Sequence, residues 1–132
     1  LARTWLVIGA IFGLLSVALG AGGAHYLTET IGPDRFPTWQ TGIQYLQIHS
    51  LLLVLLGVVL LVRPSKIVST SALCIAVGIV LFCGSLITLA LGGPRWLGAV
   101  APVGGLAFMA GWALLIVFGI KSAKARSSGE QI

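Results

Sequence analysis

Acidic residues are nearly missing from this chain. Glu29, Asp34 and Glu130 are the only carboxylate side chains among 132 residues, and none lies in a long apolar run. Paired carboxylates for general acid–base work are therefore excluded from every apolar segment. Charge of either sign is scarce, at 8% of residues, against about 25% in soluble domains. There is no Gly-rich phosphate loop ending in Lys-Ser or Lys-Thr and no His/Cys cluster with zinc spacing. A Ser-His-Asp set has no acid on a regular element to draw on. The residues thus predict a protein that is not an enzyme.

Cysteine is also rare. Cys74 and Cys83 sit in one apolar run, and nine helical residues separate them by about 13 Å. A disulfide needs Cα atoms within about 7 Å, so they do not bridge within a helix. They read as small apolar packing residues.

What the chain has in abundance is hydrophobic length. Four apolar runs, at about residues 5–24, 43–62, 67–91 and 97–120, fill most of it, and the mean hydropathy is +1.07. About 20 helical residues cross a ~30 Å hydrocarbon layer. The fold expected is an all-α membrane protein, a single four-helix antiparallel transmembrane bundle over residues 1–132. Its longest connection would be 25–42, and its basic C-terminal tail 121–132. Arg3 ahead of the first run suggests a secretory signal, but that run exceeds the usual 7–15 apolar residues of a signal. The start at Leu1 is read as leaving a few residues upstream.

The net charge of +5 comes from cations at the ends of the runs, not from a nucleic-acid stripe. With four crossings, Arg3, Arg63, Lys66, Lys121, Lys124 and Arg126 share one side, and Arg35 and Arg95 take the other. The positive-inside rule then places both termini on the inner side. A multi-pass protein of a bacterial inner (cytoplasmic) membrane is expected. Its partners would be the lipid bilayer and other membrane subunits or itself, with no nucleic acid.

Small residues line the runs. Gly9, Gly13, Ser16 and Gly20 recur at helical spacing in the first, Gly78 and Ser85 in the third, and Gly104, Gly105 and Gly111 in the fourth. Such positions let helix backbones approach closely in lipid. Residues 13–20 faintly echo 84–92, which would set the first and third spans in one orientation. Trp39 and Phe36 read as interfacial anchors, and Thr41 with Gln44 as a capping box opening the second helix.

Polar chemistry concentrates around His25 and His49, with Gln44, Tyr45, Gln47 and Ser50 nearby in sequence. Three readings stay open. These groups hydrogen-bond one another and lock helices together. They form a small binding site or proton relay. Or the two imidazoles ligate haem or a metal. No cofactor is demanded, and contact with haem, quinone or pigment stays open.

Specific motifs run through the chain in order: Gly23-Ala24-His25; Thr41-Gly42-Ile43-Gln44-Tyr45 leading to His49-Ser50-Leu51; Leu81-Phe82-Cys83-Gly84-Ser85-Leu86; Leu89-Ala90-Leu91-Gly92; Ala101-Pro102-Val103-Gly104-Gly105; and Gly111-Trp112. In these the chain resembles a widespread family of small four-helix membrane proteins, the bacterial YgdD type and eukaryotic transmembrane protein 256. The resemblance implies four membrane helices and adds no established activity. It places His25, Gln44, His49, Ser85, Pro102, Gly104 and Trp112 in the family pattern. Tyr26 departs from the Gly that usually follows Gly-Ala-His. The functional expectation is a structural or accessory subunit packed against a larger membrane complex. The alternative is a small transporter or ligand- or proton-binding protein using the His/Gln/Tyr cluster.

Overall fold

The structure, a computed structural model, describes residues 1–23 and 28–129. Helix α1 covers Ala2–Gly22, α2 is the short Thr28–Ile31, and α3 covers Phe36–Val62. The third crossing is built from α4 (Lys66–Gly78), a π-helical turn Ile79–Cys83 and α5 (Gly84–Ala90); α6 covers Leu97–Ser128. Four helices are long and apolar enough to cross a membrane, and no strand occurs among the described residues.

Three boundaries differ from the sequence expectation. Helix α3 begins at Phe36, seven residues before Ile43, so the 25–42 connection is much shorter. Pro37 sits in its first turn, where a fixed φ and missing N–H favour a helix start. Thr41 lies inside the helix, with its hydroxyl donating back to the Pro37 carbonyl at 3.0 Å, so no capping box forms with Gln44. At the other end, α6 carries residues 121–128 of the basic tail as helix and stops at Gly129. Pro102 sits inside α6, five residues past its start.

The turns follow local chemistry. Ser65 caps α4, its hydroxyl accepting the Val68 N–H at 3.3 Å, and Pro64 before it ends α3. Helix α5 ends at Ala90, and two residues on, Gly92 takes a φ of +94° that suits glycine alone. Gly92 N–H reaches the Leu89 carbonyl at 3.0 Å and Gly93 N–H the Thr88 carbonyl at 2.8 Å. Those two bonds satisfy carbonyls that a helix end otherwise leaves open.

Helix α1 packs chiefly on α3, α6 packs on the α4–α5 span, and α3 meets that span between them. Backbones touch where glycine permits. A Cβ on Gly9 would lie 2.7 Å from the Val54 nitrogen, and one on Gly57 would lie 2.7 Å from the Leu6 nitrogen. Gly104 meets the Phe82 backbone of the π turn, and Gly78 receives the face of Phe108. Gly111 lies against Ile75, and Ser71 donates to the Gly111 carbonyl at 2.8 Å. Ser85 is buried. Gly13, Gly20 and Gly105 make only ordinary contacts, with nearest atoms at 3.8, 3.5 and 3.8 Å from a built Cβ.

The core runs through Leu46, Leu53, Leu56, Val68, Ile75 and Ile79, with Phe108 from α6. A second cluster of Ile31, Trp39, Ile43 and Ala90 closes the far end. Trp39 is 2% exposed and therefore not an interfacial anchor. It packs over Gly23, where any side chain would meet its ring. Trp5 is similarly buried, while Trp96 is exposed as an interfacial residue should be. Cys74 and Cys83 are both free.

Candidate functional site

Helix α3 presents His49 and Tyr45 on one side, four residues and about 40° apart round the helix. His49 is 4% exposed. Its Nδ1 lies 2.8 Å from the Tyr45 carbonyl, which only accepts, so Nδ1 carries the proton. Its Nε2 then accepts from the Trp112 indole N–H of α6 at 3.1 Å. Both ring nitrogens of the neutral imidazole are used, and α3 is fastened to α6 across the bundle.

Aromatic rings enclose this lock. Phe108 stacks on His49 at 3.7 Å between centroids and 15° between planes. Trp112 meets the imidazole edge-on, at 6.0 Å and 75°. Tyr45 stands 4.8 Å from Phe82 and 6.2 Å from Phe108. Gly78 leaves the space in which Phe108 lies flat, and the π turn carries Phe82 to the group. Beside the lock runs a groove of about 520 Å³, lined by Tyr45, His49, Phe82, Leu106, Met109 and Trp112 among others. Tyr45 and Trp112 are part-exposed there. Among the described residues the Tyr45 hydroxyl has no hydrogen-bond partner.

The polar cluster expected from the sequence is not one group. Gln44 and Gln47 lie about 140° and 160° round α3 from His49. Gln44 lines a small cavity of about 180 Å³ with Gly20, Phe36 and Trp39. Gln47 lines another of about 250 Å³ with Gly13, Ser16 and Ser50. Ser50 turns its hydroxyl to the Gln47 backbone carbonyl at 3.0 Å, and Ser16 to the Gly13 carbonyl at 2.7 Å. Both glutamine side chains are exposed and hydrogen-bond to nothing among the described residues. His25, considered above as a second ligand, lies outside the described residues, as does Tyr26. Among the described residues no three His, Cys, Asp or Glu side chains gather to hold a metal.

Two residues that line the groove carried no sequence signal. Phe108 and Met109 look like ordinary span residues, and only the fold sets Phe108 against His49. Trp112 stood in a family motif, with nothing in the sequence to pair it with a histidine 63 positions away.

The chain matches the family model described as protein of unknown function DUF423 over residues 19–105. It is 44% identical over 119 residues to the UPF0382 inner membrane protein YgdD of Escherichia coli K12, covering 90% of this chain and 91% of that one. It is 40% identical over 122 residues to the UPF0382 membrane protein YwdK of Bacillus subtilis, covering 90% and 98%. The UPF0382 membrane protein SH2409 of Staphylococcus haemolyticus is 36% identical over 115 residues, covering 87% and 93%. No solved structure matches. With four membrane-crossing helices and these relatives, the chain is a multi-pass membrane protein belonging to the DUF423 (UPF0382) family.

Proposed function

We propose that this protein is a non-enzymatic accessory component that packs against other membrane-spanning polypeptides. One observation carries the reading: Gln44 and Gln47 are exposed along the seam of α1 and α3 and their amides have no partner among the described residues. Counting 20 residues back from Val62 puts the hydrocarbon edge near Ile43, so Gln47 lies about 6 Å inside it. Lipid tails offer an amide nothing to bond, whereas a neighbouring helix does. The imidazole, the most versatile polar group of the spans, is spent on internal fastening. That use favours a structural role over metal or haem ligation, since a metal at Nε2 would have to displace Trp112.

Extraction in a mild detergent followed by native electrophoresis tests this. The unsubstituted chain should migrate in a species larger than the monomer. Gln44→Leu/Gln47→Leu should weaken that species and leave the fold intact by circular dichroism. Migration of the unsubstituted chain only as a free monomer overturns the proposal.

A second reading is favoured by the groove beside His49 and its Tyr45 hydroxyl, unpaired among the described residues: a ligand-binding membrane protein whose ligand has a hydrogen-bond acceptor and an apolar body. Tyr45→Phe separates the two, because it removes the free hydroxyl and leaves the His49–Trp112 bond in place. The accessory role predicts unchanged assembly with no binding to lose, and the ligand role predicts intact assembly with lost binding. A Soret band in the purified protein would revive the haem version.

A further inference from the structure

We infer that the end of the bundle holding Arg63 and Lys66 binds the phosphate of an anionic phospholipid. Two clefts meet there around the Pro64–Lys66 turn. One, of about 360 Å³, lies between the start of α4 and the end of α6 and is lined by Lys66, Lys121, Ser65, Ile67 and Phe118 with Pro64. The other, of about 660 Å³, opens toward the start of α1 and adds Leu60 and Ser69 to the wall. Lys66 borders both.

Both charged side chains that line the two clefts are cations. Among the described residues, Lys66 and Lys121 form no ion pair and no carboxylate lines either cleft. Lys66 and Ile67 are the first two residues of α4, whose N–H groups have no carbonyl within the helix to bond. The Ser65 hydroxyl is already taken by Val68, the third. A site of ammoniums and N–H donors with no negative group calls for an acceptor-rich anion.

The walls decide between a lipid and a free anion. Ile67 and Phe118, both part-exposed, give the cleft beside α6 an apolar side, which a free phosphate would leave against water and an acyl chain would cover. The clefts also sit where α3 and α6 leave their apolar runs, the level of the headgroups. Basic pockets between transmembrane helices commonly hold anionic headgroups. A phosphatidylglycerol-type lipid meets both requirements. The inference is independent of any protein partner.

The test is lipid retention by native mass spectrometry on the full chain, in micelles doped equally with phosphatidylglycerol and phosphatidylcholine. Lys66→Gln/Lys121→Gln should lower the preference for phosphatidylglycerol by about 30-fold, at roughly a factor of five per lysine. Lys124→Gln/Arg126→Gln removes the same charge from residues that line neither cleft, and should leave most of the preference. Equal loss in the two variants overturns the site in favour of diffuse surface charge. Equal retention of both lipids by the unsubstituted chain overturns it as well. Inorganic phosphate added at the lipid's concentration should not displace phosphatidylglycerol; displacement would show that the anion alone is bound. If the paired variant does not extract as a monodisperse protein, Lys121→Glu on the exposed end of α6 serves instead. It should repel the anionic lipid, and unchanged retention refutes the site.

Discussion

His49 shows how a single side chain is made structural inside a membrane. Its Nδ1–H bonds a carbonyl one turn back on its own helix, and only Nε2 reaches across to α6. The local bond sets the tautomer, and the tautomer makes Nε2 the acceptor that Trp112 requires. Trp112→Phe keeps the aromatic contact and removes the donor. It should destabilise the bundle by about 1 kcal/mol, the usual worth of such a bond in lipid. Unfolding in mixed micelles measures this, and a His49→Phe/Trp112→Phe double variant should cost less than the two single changes summed. The polarity of this region was legible in the sequence because His49, Gln44 and Gln47 stand out among leucines. Their division into two sides of α3 was also implicit in the 100° step of a helix. Which side would meet α6 was not, since that depends on Phe108, Gly78 and the π turn coming together.

Among the elements, α1 and α3 show why small residues alone do not specify an interface. Gly9 and Gly13 form a Gly-x-x-x-Gly pair, yet only Gly9 lies against backbone, at Val54. The reciprocal contact is Gly57 under Leu6, and Gly57 drew no notice in a run of leucines and valines. Gly9→Ala should therefore push the helices apart and cost about 1–3 kcal/mol, as overpacking does. Gly13→Ala has 3.8 Å to the nearest atom, and its better helix propensity should leave stability unchanged or raise it by up to about 1 kcal/mol. Thermal unfolding of both variants in one detergent checks the contrast; equal effects would show that spacing, not contact, governs. The early start of α3 was legible in part, since Pro37 in a first turn is a helix-start signal. The span length of 20 residues hid it, because helices extend beyond the hydrocarbon when their first turns are covered. Here Trp39 covers Gly23 and packs with Ile31, Ile43 and Ala90. For the same reason Trp39 is a core residue, although its place near a span end matches an interfacial belt.

At the level of the whole molecule, four crossings return the chain to the side it started from. Six of the eight cations flank that side, so reporter fusions at either terminus should both report the cytoplasmic face; opposite readings would break the four-span assignment. The number of spans, the all-helical class and the family were determined by the amino-acid sequence alone. Lipid imposes a length and a composition on anything that crosses it, and both are linear properties of a chain. The tertiary structure alone decided which glycines carry backbone contacts, that His49 bonds Trp112 across 63 residues, and that Lys66 and Lys121 face one cleft. Those depend on how each helix is turned and how deeply it sits against its neighbour. In a chain apolar on nearly every face, hydrophobicity leaves that rotation unspecified, and it is settled by shape, by close backbone approach at glycine and by a few hydrogen bonds.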